Sequence, residues 1–518
     1  MDTTRRASRG YGSTTPDSDP FADQPAFNGL RSSPPPPAPA GPQYHHAGAT
    51  DQTDPVTGRR ASVQETPTVS SRSSTSEFDD SHLDDLEKSL PIDTVPSLRL
   101  HTLQSCREQD LEKALDGGPA VQVKSAFDLD SEEDTPSPTG DSPRPPLSIR
   151  QRLAHFTWAW YTLTMSTGGL SLLIRAQPHQ FPGLRQIGLV VYAINIALFV
   201  LVTAAQATRC VLFPGTFTRS LSHPREGFFF PTFFLSLATI ITSTQRYCVP
   251  EDPEVARATV GGLLVVLQIA FWIYVAATTV LAIGQYSFVF AAHSFGLQTM
   301  MPTWILPIFP VMLSGTIASV IAASQPPAAG VPIVVAGLTC QGLGLAVAFL
   351  MYAHMVGRLM QSGLPHREHR TGLFMCVGPP AFTALAFIGL AHGLPEGFDH
   401  DMDGVLDTAM VETMGVVGAG FLWALSFWWF GIAVTAVIQS PPKDFHLGWW
   451  AAVFPNTGFT LATISLGSAF RSEPVLWFAT VMSIALVVTF FFVLYHHVRA
   501  VIKQEIMYPG RDEDVEDH

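Results

Sequence analysis

Between Trp449 and Gly467 the chain reads WWAAVFPNTGFTLATISLG, an apolar run interrupted by Pro455, Asn456, Thr457 and Thr460. Hydroxyl and exposed backbone N–H groups can donate to an anion without holding it too tightly to leave. Other apolar stretches carry the same mixture. Thr164, Ser166, Thr167 and Gly168 lie beside a Gly-Gly pair that permits close backbone approach. Ser236, Thr239 and Ser243 recur at helical spacing and share a face. Ser314 and Thr316 follow Pro307 and Pro310, and Gly378, Pro379 and Pro380 precede Thr383. A chain of such groups would make a path for an anion. Each hydroxyl has a competing use, because it can bond back to its own helix.

The elements that carry these groups are membrane helices. A bilayer core needs about 20 mainly apolar residues per helix. Ten stretches qualify: 156–174, 187–208, 228–245, 259–283, 303–323, 331–356, 372–393, 414–438, 448–468 and 474–497. They place one helical transport domain at 151–500, followed by a short tail at 501–518. Residues 1–150 are rich in Pro, Ser, Thr and charge, a composition that cannot bury enough apolar surface to order itself. The net charge of −13 belongs largely to such polar segments. No basic stripe suggests nucleic acid. The five cysteines show neither metal spacing nor a paired pattern. No cofactor and no metal are expected.

The hydroxyls alternate between stretches. The odd-numbered ones hold 22 Ser and Thr, the even-numbered ones 11. Pro307, Pro310, Pro379, Pro380 and Pro455 fall inside odd stretches, whereas Pro332 and Pro474 fall at the starts of even ones. An interior proline leaves a carbonyl unpaired and kinks a helix. In a membrane that is tolerated where protein or water satisfies the freed group. The expectation is therefore five helix pairs, with kinked odd helices around a shared interior and even helices toward lipid. Tight packing through small residues is the competing reason for the hydroxyls.

No Asp, Glu, Lys or Arg falls within the ten stretches as bounded, so no buried carboxylate relay and no catalytic constellation is expected. His354, His392, His496 and His497 lie near stretch ends and read as interfacial. Thirteen Lys and Arg flank one side and five, Arg175, Arg185, Arg246, Arg257 and Arg471, flank the other. The positive-inside rule then puts both termini in the cytosol.

HFTWAWYTLTMSTGGLSLLI (155–174), MPTWILPIFPVMLSGTIAS (301–319) and FMCVGPPAFTALAF (374–387) resemble the tellurite-resistance/dicarboxylate transporter family of the voltage-dependent anion channel superfamily. The similarity is nearer the fungal malic acid transporter branch than the sulfite efflux branch. The resemblance implies an all-α membrane fold with five helical hairpins around a central pore and odd helices inside. It also implies a homotrimer with one pore per subunit, a plasma-membrane location and carriage of a small anion with protons. It implies a ninth-helix phenylalanine plugging the pore, and Phe454 matches that position.

Two further motifs stand outside this scheme. Asp399-x-Asp401-x-Asp403-Gly404, with Asp407, matches the start of a calcium loop, but the twelfth position is Met410 and Glu412 comes two residues late. It reads as a solvated acidic loop facing outward. Arg-Arg-Ala-Ser occurs at Arg5–Ser8 and Arg59–Ser62, which makes Ser8 and Ser62 candidate phosphorylation sites.

Overall fold

The computed structural model describes residues 146–512 except 396, 397, 400, 405 and 406. Ser8, Ser62 and the boundary of the polar N-terminal segment lie outside the described residues. Among the described residues there is no strand. Ten principal helices follow in order: α1 Tyr161–Arg175, α2 Leu184–Leu212, α3 Pro231–Cys248, α4 Pro253–Ala292, α5 Phe309–Ile321, α6 Pro327–Ser362, α7 Gly378–His392, α8 Thr408–Gln439, α9 Phe454–Ala469 and α10 Glu473–Lys503.

Among the described residues, seven helical stretches are long and apolar enough to cross a membrane: α2, α4, α6, α8, α10, and the stretches Glu226–Cys248 and Arg367–His392 that end in α3 and α7. The other three, α1, α5 and α9, have 15, 13 and 16 residues. Burial separates the two sets. The central windows of the even helices are 22–33% buried, against 61% and 83% for the stretches ending in α3 and α7. Nearly every residue of α1, α5 and α9 is also buried. The odd helices form the interior and the even helices expose apolar side chains such as Val200, Phe290, Leu350 and Phe421.

The prolines do something other than kink. Each odd helix is preceded by a 3-10 segment: Trp158–Trp160, Glu226–Phe229, Pro302–Ile305, Arg367–Val377 and Leu447–Ala452. Pro231, Pro310, Pro379 and Pro455 sit in the first turn of the α-helices that follow. There the missing N–H costs nothing, because first-turn amides have no intrahelical partner. The expectation of mid-helix kinks is corrected accordingly. The α-helices start at these prolines, and Pro332 is the residue that lies inside a helix, α6.

The cost falls on the carbonyls upstream, and side chains meet it. The Cys376 carbonyl faces Pro379 and Pro380 at the two positions whose amides could have reached it, and it accepts from Tyr352 Oη of α6 at 2.8 Å. The Trp304 carbonyl, three residues before Pro307, accepts from Tyr286 Oη of α4 at 2.8 Å. The Gly227 carbonyl, four before Pro231, keeps the Phe230 amide at 3.1 Å and also accepts from Gln285 Nε2 of α4 at 2.7 Å. The Ala452 carbonyl, three before Pro455, accepts from Asn456 Nδ2 at 2.8 Å. Three of these four donors come from even helices, so the repair also fastens the outer layer to the inner one.

A buried ion pair secures one end. Arg209 of α2 and Glu226, 3% and 2% exposed, meet through Nη1–Oε1 at 2.5 Å and Nη2–Oε2 at 3.3 Å. Arg209 Nε also donates to the Ala154 carbonyl at 2.9 Å. These charges lie beyond the apolar stretches as bounded from sequence, because the helices run past those bounds.

Tyr352→Phe should destabilise the protein by about 1–3 kcal/mol, the usual cost of a buried polar group left unpaired. Adding Pro380→Ala returns an amide four residues after Cys376 and should recover part of that loss. Thermal unfolding of the two single variants and the double variant in detergent checks this.

Candidate functional site

The interior helices meet at three phenylalanine rings. Phe454, at the start of α9, stacks on Phe382 of α7 with centroids 5.1 Å apart. It meets Phe309 of α5 edge-on at 6.2 Å, and Phe309 meets Phe382 at 5.8 Å. Phe454 is 1% exposed. Gly378 makes the cluster possible, since a Cβ there would lie 2.6 Å from Phe309 Cζ. The 3-10 segment leading to α7 is joined to the loop ahead of the 3-10 segment leading to α9. Glu368 accepts from the Lys443 and Asp444 amides at 3.0 and 3.2 Å.

Above the rings lie two adjoining cavities. The smaller, about 20 Å³, has Phe454 and Phe382 in its wall with Gly169, Thr239, Thr316 and Thr457. All five odd helices contribute to it. It shares Leu172, Thr242, Thr316, Phe382 and Leu461 with a cavity of about 970 Å³. This larger vestibule opens where the odd helices end and is lined by Ser319, Ser465, Ser468, Arg175, Arg246 and Arg471, among others.

The expected path residues divide into two groups. Thr239, Thr316, Thr457 and Phe454 line the small cavity. The Thr316 hydroxyl has no hydrogen-bond partner among the described residues, nor does that of buried Ser166. Thr239 and Thr457 also donate to carbonyls three and four residues back, and most of the other expected path residues are engaged in packing. Thr164 Oγ1 bonds Ser236 Oγ at 2.6 Å, and Ser171 Oγ bonds Ser243 Oγ at 3.0 Å, which zips α1 to α3. Thr383 accepts from Gln341 of α6 at 2.7 Å. Thr167 and Thr460 donate to carbonyls four residues back, as the competing reading of hydroxyls anticipated. Gly168 lets α1 approach α3, for a Cβ there would lie 2.2 Å from Thr239 Oγ1. Ser314 is fully buried in α5. Pro379, Pro380 and Pro455 shape the helix starts described above, and Asn456 caps one freed carbonyl while its Oδ1 has no partner among the described residues.

Sequence reasoning missed the arginines as site residues, although their positions were in view as flanking charges. Arg175 and Arg246 end α1 and α3, and Arg471 follows α9. Arg175 donates to Glu251, and that bond together with the Arg175 charge holds the Glu251 carboxyl below its ordinary range. His497 is buried and accepts from Trp450 Nε1 at 3.1 Å. In the acidic loop, one oxygen from each of Asp399, Asp401 and Asp403 comes within 4.8 Å of the others. Glu412 instead faces His392 at 3.3 Å.

A family model for voltage-dependent anion channels matches residues 155–498. The chain belongs to the voltage-dependent anion channel family. It is 34% identical over 377 residues to a malic acid transport protein of Schizosaccharomyces pombe, covering 72% of this chain and 84% of that one. A putative malic acid transport protein of the same yeast is 31% identical over 72% of this chain and 86% of its own length. A sulfite efflux pump of Trichophyton rubrum is 27% identical over 62% of this chain and 84% of its own length. The resemblance read from the three motifs is thereby borne out. Family and relatives point to a multi-pass membrane protein of anion transport and away from an enzyme.

Gly168→Ala should cost about 1–3 kcal/mol, because the added methyl must displace Thr239 in a packed α1–α3 contact. Thermal unfolding checks it, with Gly261→Ala, which meets open space, as the control.

Proposed function

We propose that this member of the family moves C4-dicarboxylates such as malate across the plasma membrane. The path runs through the vestibule and the small cavity and is closed by Phe454 as a gate. The carrying observation is an apolar three-ring plug at the foot of a vestibule of about 970 Å³ lined with hydroxyls and arginines. Such a wall attracts anions, and a neutral constriction lets them leave. The two relatives named for malic acid transport support the substrate class.

In this reading the ten principal helices all cross the bilayer as five hairpins, the vestibule faces outward and both termini are cytosolic. The asymmetry of Lys and Arg supports that orientation. The subunits assemble as a homotrimer with a pore in each, as the resemblance implies. The proton travels on the substrate as the monoanion, because no Asp, Glu or Lys lines the small cavity.

The test is uptake of labelled malate by cells that lack their own carrier and express the full chain, in acid and near-neutral media, with sulfite tolerance scored in parallel. Uptake should rise several-fold in acid, and Phe454→Ala should raise it further or remove its pH control. Sulfite tolerance without malate uptake would make the chain an efflux pump of the same fold.

A further inference from the structure

The vestibule holds more positive charge than its own wall uses. Three guanidiniums line it, those of Arg175, Arg246 and Arg471. Arg175 is committed to Glu251. The carboxylate in the wall, Glu412, faces His392 at 3.3 Å. Neither Arg246 nor Arg471 makes a side-chain ion pair or hydrogen bond with any described residue. Both are exposed, and both line the cavity.

The backbone at Arg471 makes the same point independently. The Ser472 amide donates to the Gly467 carbonyl at 2.9 Å and the Arg471 amide to the Ser468 carbonyl at 3.1 Å, which is the glycine-favouring end of a helix. Arg471 occupies the glycine position, with φ at 49°. A side chain there is strained, and arginine gives the turn nothing that glycine would not give better. Residues held in such conformations mark positions where the side chain has a use.

We infer that Arg246 and Arg471 form a two-point anchor for the two carboxyl groups of a dicarboxylic acid entering the vestibule. Two uncommitted guanidiniums match two carboxyl groups: the ionised one takes a charge-assisted, bidentate contact, and the protonated one of the monoanion still accepts through its carbonyl oxygen. A monocarboxylate would leave one of them unused. The anchor selects dicarboxylates before they reach the neutral cavity above Phe454, so specificity and gating are set at different depths. This rests on the dicarboxylate reading above for its role in transport, while the binding it predicts is separable from transport.

The test uses the full chain, purified and reconstituted, with Arg246→Gln and Arg471→Gly. Uptake of malate is compared with that of lactate, a hydroxy acid with one carboxylate. Protection against thermal unfolding by succinate and by butyrate is measured in detergent. In either variant the KM for malate should rise about tenfold, the usual effect of losing a contact to a charged group, with little change for lactate. Arg471→Gly should also unfold at a higher temperature than the parent, which a merely structural arginine would not allow. Unchanged malate KM in both variants, or equal shifts for malate and lactate, would overturn the anchor. If the parent carries neither acid, the transport reading fails. Succinate protection that vanishes in the variants would then leave the anchor standing, and no succinate protection would remove it too.

Discussion

A carbonyl that lacks an amide partner cannot be left bare in hydrocarbon, and this constraint organises the whole helical domain. Prolines at the starts of the inner helices remove the amides that upstream carbonyls need. Tyr352, Tyr286 and Asn456 supply the replacements, and Gln285 adds a second donor to a carbonyl that keeps one amide. Because Tyr352, Tyr286 and Gln285 reach in from the outer helices, the repair sets where α4 and α6 sit against the interior. The prolines also terminate the 3-10 segments, and so determine the level at which α5, α7 and α9 begin.

That level is where Phe309, Phe382 and Phe454 meet. Phe309 and Phe454 open their helices beside Pro310 and Pro455, and Phe382 follows Pro379 and Pro380 by a single turn. The plug is thus a consequence of where the helices start. Above it, Thr239, Thr316 and Thr457 share the wall of a narrow cavity with apolar side chains; farther out, charge appears in the last turns of α1 and α3 and just past α9. From the vestibule inward, the lining carries arginines first, threonines next and aromatic rings last.

Much of this was legible in the sequence. Alternating hydroxyl content separated inner from outer helices because burial and polarity go together in a membrane interior. The ninth-stretch motif singled out Phe454, which the structure buries against Phe309 and Phe382. The role of the prolines was misjudged because an apolar run hides the change from 3-10 to α winding. The pairs Thr164–Ser236 and Ser171–Ser243 could not be told from path residues, since a hydroxyl facing a neighbouring helix and one facing a cavity have the same spacing. Arg246 and Arg471 registered only as flanking charge. Their convergence on one vestibule depends on packing between α3 and α9 regions far apart in the chain.

The central claim is a vestibule reached from one side and closed by Phe454. The most direct measurement is thiol labelling of the full chain in sealed cells, with native cysteines replaced and a single cysteine placed at Ser319 in the vestibule wall. A charged, membrane-impermeant reagent applied outside should label it rapidly. The same reagent applied from the cytosolic face of inverted vesicles should leave it unmodified until Phe454 is shortened to Ala. Labelling from the cytosolic face with Phe454 intact, or none from outside, would contradict the account.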